Sequence, residues 1–497
     1  MIVGEIMTII NPKGIVLVTG ASGYIGSHLV PQLLKQGYTV RAMSRRCHNF
    51  DIYDWSKNVQ AVEADALNPS SLKHALEGVT FAYYLIHSMA AGKGFEERDA
   101  IAAKNFAEAA KCAGVKRIIY LGGLGAEAAN LSAHLKSRHR VGRILAESGI
   151  AVTEFRAAII VGAGSLSFEM IRYLTERIPL LVCPKWVFTK VQPISIRDVL
   201  KYLGASIENT KSSGRIIEIG GSDILTYRDL MLIYAKLRGL KRFVIRAAVL
   251  TPRLSSYWVH LVTPIPSSMA KPLIEGLKNE VTVKSKAAAE LFEDISPENY
   301  ESSVISALQN MHPYKVSPYK PIQSHTGHVH LPHLCIQKEG MIIESKISAM
   351  KAKPESVFGV LERMGGENGW WGLECVWRLR GLMDRVFGGE GFVSYRSNKH
   401  KAAVGDRIDF YDVENMIPFR ELLLRVRFKL PGKGWMRLQT ARHDGGSTLA
   451  LTVFFAPKGL LGILYWYSLL GFHRWIFKIM LKKISMESEK VNTDIQV

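Results

Sequence analysis

At 497 residues the chain is longer than one hydrophobic core ordinarily supports, so two or three domains are expected. Apolar residues at 47% and charged residues at 22%, with 42 Gly and 19 Pro, match ordinary globular usage and exclude disorder, a collagen helix and a coiled coil. Lys and Arg total 64 against 44 Asp and Glu, a formal charge of +20 that attracts phosphates, acidic partners or an anionic membrane, while no helix-turn-helix, zinc-finger or aromatic RNA-binding pattern supports nucleic acid.

Met1 to Pro12 is apolar but interrupted by Glu5 and has no basic leader, so a signal peptide is not expected. Ile15 to Val18 is a short β-branched run, followed by Thr19-Gly20-Ala21-Ser22-Gly23-Tyr24-Ile25-Gly26 and a helical stretch from His28 to Gln36 that Gly37 stops. Strand, glycine turn and helix in that order make a phosphate cradle: each missing side chain lets backbone N–H groups approach a pyrophosphate at the helix N-terminus. Residues 20 to 26 are therefore candidate dinucleotide contacts. The second strand, Tyr38 to Met43, ends in Ser44-Arg45-Arg46 where an NAD site would carry an acid for the ribose 2′-hydroxyl. Arg45 and Arg46 suit a 2′-phosphate, so NADP is expected over NAD; the alternative is that both merely face solvent.

Further strands follow in rhythm: Val59 to Ala64 before Asp65, Thr80 to Ile86 before His87-Ser88, Val115 to Leu121 before Gly122-Gly123, and Ala151 to Ile160 before Val161-Gly162. Strands alternating with helices predict an α/β fold, a doubly wound parallel sheet whose ligands bind beyond the carboxyl ends of its strands. Of Tyr83 and Tyr84, one is expected in the core and the other beside the cofactor.

These residues resemble the short-chain dehydrogenase/reductases, in particular the extended and atypical branch that includes the NmrA-like proteins. The likeness rests on the turn Thr19 to Gly26, on Ala109-Ala110-x-x-Ala113-Gly114-Val115-Lys116-Arg117-Ile118-Ile119-Tyr120, on Ser148-Gly149-Ile150-x-x-Thr153-x-x-Arg156, and on Ile194-x-Ile196-Arg197-Asp198-Val199, over about residues 14–312. It implies that Asp65 contacts the adenine and that the segment from Tyr84 to Ser88, with Leu85 and Ile86, borders the nicotinamide ribose. The departure is as informative. Active members carry a Ser after the fifth strand and a Tyr-x-x-x-Lys on the next helix, whereas this chain reads Gly122-Gly123 and His134-x-x-x-Arg138. Arg cannot serve as a base, which leaves His134 as the candidate proton donor or as a helix residue without chemistry. Ser195, Arg197 and Asp198 read as a helix cap.

Residues 313–333 read as a linker, with His325, His328, His330 and His333 in nine residues; without a supporting carboxylate or Cys pair, no metal site is expected. The second domain, 334–490, begins with a helix from Pro354 to Met364 and a Gly369-to-Trp371 segment. Alternating strands follow at Arg407 to Val413, Leu422 to Leu430 and Thr448 to Phe455. This order resembles the START/polyketide-cyclase helix-grip superfamily, an α+β antiparallel sheet wrapped around its last helix over an apolar cavity. The stretches Trp377-Arg378-Leu379-Arg380-Gly381 and Pro457-x-Gly459-Leu460-x-Gly462 are similar to an uncharacterised domain fused to atypical short-chain dehydrogenases. The closing segment, Gly459 to Ile484, has only 14 uncharged residues before His473 and Arg474, too few for a bilayer span. It is expected as a core helix, with peripheral contact to an anionic membrane through Trp475, Lys478, Lys482 and Lys483 as the second possibility.

The five Cys (47, 112, 183, 335 and 375) are scattered and odd in number, which fits a reducing cytoplasm. Together these features predict an NADP(H)-dependent oxidoreductase for an apolar carbonyl-type small molecule, held with help from the second domain. The alternative is a non-catalytic NADP(H)-binding sensor or assembly module.

Overall fold

The computed structural model describes residues 13–88, 92, 94–125, 131–246, 263–316, 334–370, 374–386, 388–397, 402–443 and 445–494. They form two compact units, one ending at Asn310 and the other beginning at Met311.

The first unit is built on a seven-stranded sheet in the order Ile216–Ile219, Ala151–Ala157, Arg117–Gly123, Val79–Tyr84, Ile15–Thr19, Thr39–Ser44, Gln60–Glu63, with every pair parallel. The chain order reverses beside Ile15–Thr19, which pairs with both Thr39–Ser44 and Val79–Tyr84. Such a switch point opens a crevice at the strands' carboxyl ends. Helices cover both faces, so Val16 and Val18 belong to one core cluster and Leu17 to another. Each fully buried side chain of this size stabilises the fold by roughly 1.5–3 kcal/mol. That double burial corrects the expectation that one of the pair lies beside the cofactor: both Tyr83 and Tyr84 are fully buried in the core. The Tyr83 hydroxyl donates to the Leu203 carbonyl at 2.6 Å, and Tyr84 packs on Phe106 and Tyr120. The predicted strand from Ala151 to Ile160 is divided into Ala151–Ala157 and Ile160–Val161. Ser195 caps Ile196–Ser206, its Oγ accepting from the Arg197 amide at 3.0 Å, while buried Asp198 accepts from Lys201 and from the Glu298 amide.

The second unit is an antiparallel seven-stranded sheet in the order Leu334–Lys338, Met341–Met350, Gly446–Pro457, Gly432–His443, Glu421–Val426, Tyr411–Ile417, Arg407–Ile408. One face is polar at many positions. The other packs Leu422, Leu438 and Leu451 against Val357, Phe358 and Leu361 of helix Pro354–Glu362 and against Ile476, Phe477, Met480, Leu481 and Ile484 of the closing helix. That helix, Gly459–Asp494, runs 36 residues, ten beyond the predicted end. Among the described residues no helix is long and apolar enough to cross a membrane.

Residues 311–316, expected at the end of the first domain and the start of a linker, belong to the second unit. His312 Nε2 lies 3.0 Å from Glu414, and its ring stands edge-on to Trp435 with centroids 5.6 Å apart. The four clustered histidines, His325 to His333, lie outside the described residues.

Candidate active site

The glycine turn has the shape its spacing predicts. Gly20 adopts φ +62°, a left-handed conformation open to glycine, and a Cβ there would lie 3.0 Å from the Leu85 carbonyl oxygen. A Cβ on Gly26 would meet the Gly20 oxygen at 2.4 Å and the Ala21 Cα at 2.8 Å. The Gly23 amide donates to the Gly20 carbonyl at 2.8 Å, closing the turn. Helix Tyr24–Lys35 starts at Gly23 with no side-chain cap and no acid in its first turn. Its leading N–H groups and the positive end of its dipole are thus available to a pyrophosphate, which fits the cradle.

Arg45 and Arg46 follow the second strand directly, and both are exposed. Neither guanidinium has a carboxylate partner among the described residues, so two unneutralised cations stand just beyond the end of the second strand. The loop beyond them turns back over the cradle: the Tyr53 hydroxyl donates to the Ser22 carbonyl at 3.1 Å, and its ring stacks on Trp55 with centroids 4.8 Å apart. Half-buried Asp65 accepts from the Leu67 amide at 2.9 Å through Oδ1, so its own tight turn fixes the carboxylate at the end of the third strand.

At the fourth strand's end, Thr19 bridges the switch point, its hydroxyl donating to the Tyr83 carbonyl and accepting from the Leu85 amide, each at 3.0 Å. Leu85 and Ile86 are half-buried there, next to Gly20. Arg138, on helix Ala133–Ala146, donates to the carbonyls of Ile86 at 3.3 Å and of Leu121. It ties together the ends of the fourth and fifth strands and lies over the Tyr120 ring. Gly123 is what admits this helix, since a Cβ there would meet Leu135 at 2.7 Å and Arg138 at 3.8 Å. Asp99 completes the frame, accepting from the Ser88 amide at 2.6 Å and the Ser137 hydroxyl at 3.1 Å.

Two imidazoles share this end of the sheet. His134 is half-exposed and His87 keeps an open edge, yet both are crowded by protein. Burial, reinforced by the Arg138 charge, pushes His87 down to about 4; burial, Arg138 and His87 together push His134 down to about 3. Both rings are therefore neutral near pH 7. His134 thus offers an uncharged N–H donor rather than an imidazolium.

Sequence reasoning did not single out Thr19, Tyr53 or Asp99 for the site, because each acts through partners far along the chain. His87 lies within the segment Tyr84 to Ser88 that the resemblance placed beside the nicotinamide ribose, but its own chemistry was not read from the sequence. Among the described residues no three His, Cys, Asp or Glu side chains cluster as metal ligands.

Residues 20–162 match the NAD(P)H-binding family, and residues 344–480 match a protein family of unknown function, DUF2867. The first unit is accordingly an NAD(P)H-binding domain of Rossmann type. The chain is similar to the mitochondrial NADH dehydrogenase [ubiquinone] 1 alpha subcomplex subunit 9 of Arabidopsis thaliana, 24% identical over 52% of this chain and 67% of that one. It is 37% identical to a dihydroflavonol 4-reductase of Zea mays over 16% of this chain, and spans only 24% of that enzyme. Among solved structures, an NADPH-dependent quinone oxidoreductase of Escherichia coli, complexed with NADPH, aligns with TM-score 0.49 and 21% identity over 59% of this chain and 99% of its own.

Proposed function

We propose that the first unit is an NADP(H)-dependent oxidoreductase for an apolar carbonyl compound, with His134 as the hydrogen-bond donor to the carbonyl oxygen. The carrying observation is the place of His134, on the first turn of helix Ala133–Ala146, one turn before the Arg138 that reaches the ends of the fourth and fifth strands, at the end of the sheet that carries the glycine cradle. Bound NADPH supplies the hydride. The backbone amides of Gly20 to Gly26 hold the pyrophosphate, Arg45 and Arg46 hold the 2′-phosphate, and Asp65 orients the adenine. The His134 N–H stabilises charge developing on the substrate oxygen, and water delivers the proton, because an imidazole with its pKa near 3 carries almost no spare proton at neutral pH. The likeness to the Zea mays dihydroflavonol 4-reductase, 37% identical over 16% of this chain, supports this reading.

The second unit we read as a helix-grip module that helps to hold the apolar substrate. The strand order supports it: Met341–Met350, the first long strand, lies beside the last, Gly446–Pro457, and the closing helix packs on the sheet's apolar face.

A specific observation also favours a non-catalytic NADP(H) sensor. Arg138, which stands where the usual Lys would, is committed to the main-chain carbonyls of Ile86 and Leu121 and so is not free to assist a proton donor on the same helix. NADPH oxidation assayed across quinones, aldehydes and enones separates the two. Turnover that falls about 100-fold in His134→Ala, with NADPH affinity unchanged, supports the enzyme. NADPH binding without turnover on any of these compounds supports the sensor.

A further inference from the structure

The closing helix Gly459–Asp494 is anchored on one side only. Trp466, Ile476, Phe477, Met480 and Ile484 are buried in the second unit, yet Leu461 (75%), Leu464 (56%), Phe472 (42%) and Trp475 (50%) are exposed. Positions 461, 464, 468, 472 and 475 recur every three or four residues, and at about 100° per residue they fall within one narrow arc. Ser468, also exposed, is the lone polar side chain in that stripe. Phe472 and Trp475 stack on each other outside the core, with centroids 5.7 Å apart.

The charge around the stripe is of one sign. From Gly459 to Met486 the helix has no Asp or Glu, while Arg474, Lys478, Lys482 and Lys483 are exposed. None of the four meets a carboxylate among the described residues, although Lys490 further on is paired with Glu487 at 2.8 Å. A protein partner or a second copy would have to leave these cations facing a matching acidic surface, and a chain of charge +20 offers little of that to itself. A lipid surface satisfies both features, since aromatic and Leu side chains settle at the headgroup boundary while Lys and Arg meet anionic headgroups.

We propose that this face of the closing helix docks on an anionic bilayer surface, lying in the interface with Leu461, Leu464, Phe472 and Trp475 inserted and Arg474, Lys478, Lys482 and Lys483 on the headgroups. The buried opposite face keeps the contact peripheral. The proposal is independent of any catalytic activity.

The test is co-sedimentation of the full chain with phosphatidylcholine vesicles, with and without phosphatidylglycerol. Binding should require phosphatidylglycerol and weaken as salt rises. Each Lys→Gln substitution at 478, 482 or 483 should reduce partitioning roughly fivefold, and Phe472→Ala with Trp475→Ala should reduce it at least about tenfold. These positions are exposed, and an unchanged circular dichroism spectrum checks that the variants fold. Equal binding to uncharged vesicles, no binding to either, or variants that bind like the parent would overturn it. So would a dimer in light scattering that dissociates in the Phe472/Trp475 variant, which would make a second copy the occupant. Loss confined to Leu382→Ser on helix Glu374–Val386, which exposes Leu379, Leu382, Met383 and Val386, would move the contact away from the closing helix and also reject the proposal.

Discussion

The position of Arg45 and Arg46 was legible in the sequence because it depends on one local fact, that a cation stands where the strand ends; the structure leaves both side chains exposed and free of carboxylates among the described residues, and the 2′-phosphate contact is what we propose for them. A charge-assisted contact contributes roughly 1.5–3 kcal/mol, so Arg45→Asp should weaken NADPH binding by about tenfold or more while NADH binding holds or improves. Calorimetric titration of both cofactors checks it, and an unchanged ratio would remove Arg45 from the site. His134 was legible only in part. Its place followed from the helix, but its neutrality depends on crowding and on Arg138, whose charge is invisible to local pattern. The sign of its pH effect is definite. With folded values of about 3 and 4 for His134 and His87 and an unfolded value near 6.5, the unfolded chain binds more protons between those limits. The two rings therefore remove stability as pH falls from about 6.5 toward 3, and substituting both with Gln should flatten that part of the stability curve measured by denaturant unfolding.

Periodicity carried the elements well where one face of an element meets solvent and poorly where neither does. The strand Gly446–Pro457 was readable to within a few residues as Thr448 to Phe455, because one of its faces is apolar core, whereas its partner Gly432–His443 was not predicted, since Gly432, Gly434, Arg437 and Arg442 interrupt its apolar alternation. The strand Val79–Tyr84 lies between two helix layers, so adjacent Tyr83 and Tyr84 both enter cores and alternation had nothing to report. The closing helix was recognised as a core element from its apolar run, but its last ten residues are polar and extend the helix without a periodic signal. The glycine cradle is the element whose spacing and geometry agree most closely. Since a Cβ at Gly26 would lie 2.4 Å from a backbone oxygen that cannot rotate away, Gly26→Ala must push helix Tyr24–Lys35 off the turn. Overpacking of this kind costs typically about 1–3 kcal/mol. The expected result is a lower melting temperature together with loss of NADPH binding; a variant that keeps parental affinity would mean that the pyrophosphate does not sit on this turn.

At the scale of the molecule, the division into a parallel-sheet and an antiparallel-sheet unit was readable from the change of grammar after about residue 300, but residues 311–316 were assigned to the wrong side. Their attachment depends on Glu414 and Glu421, about a hundred positions later, which receive His312 and Tyr314. Two compact units, each with its own core, imply two cooperative transitions, and the cofactor cradle lies entirely in the first unit. A ligand that binds only the folded form of one unit adds RT ln(1 + [L]/Kd) to that unit, about 2.7 kcal/mol at a hundredfold excess over Kd. For a unit of this size that is an upward shift of roughly 5 °C. Scanning calorimetry with and without NADPH should therefore resolve two transitions, of which one moves and the other stays. Mapping is direct: Phe477→Ala, in the core of the second unit, should lower only the transition that NADPH leaves in place, by an amount in keeping with the roughly 3–5 kcal/mol typical of a buried Phe lost to Ala. If NADPH instead raises both transitions together, the two units unfold as one cooperative system, and the second unit cannot be treated as a module that holds substrate independently of the cofactor.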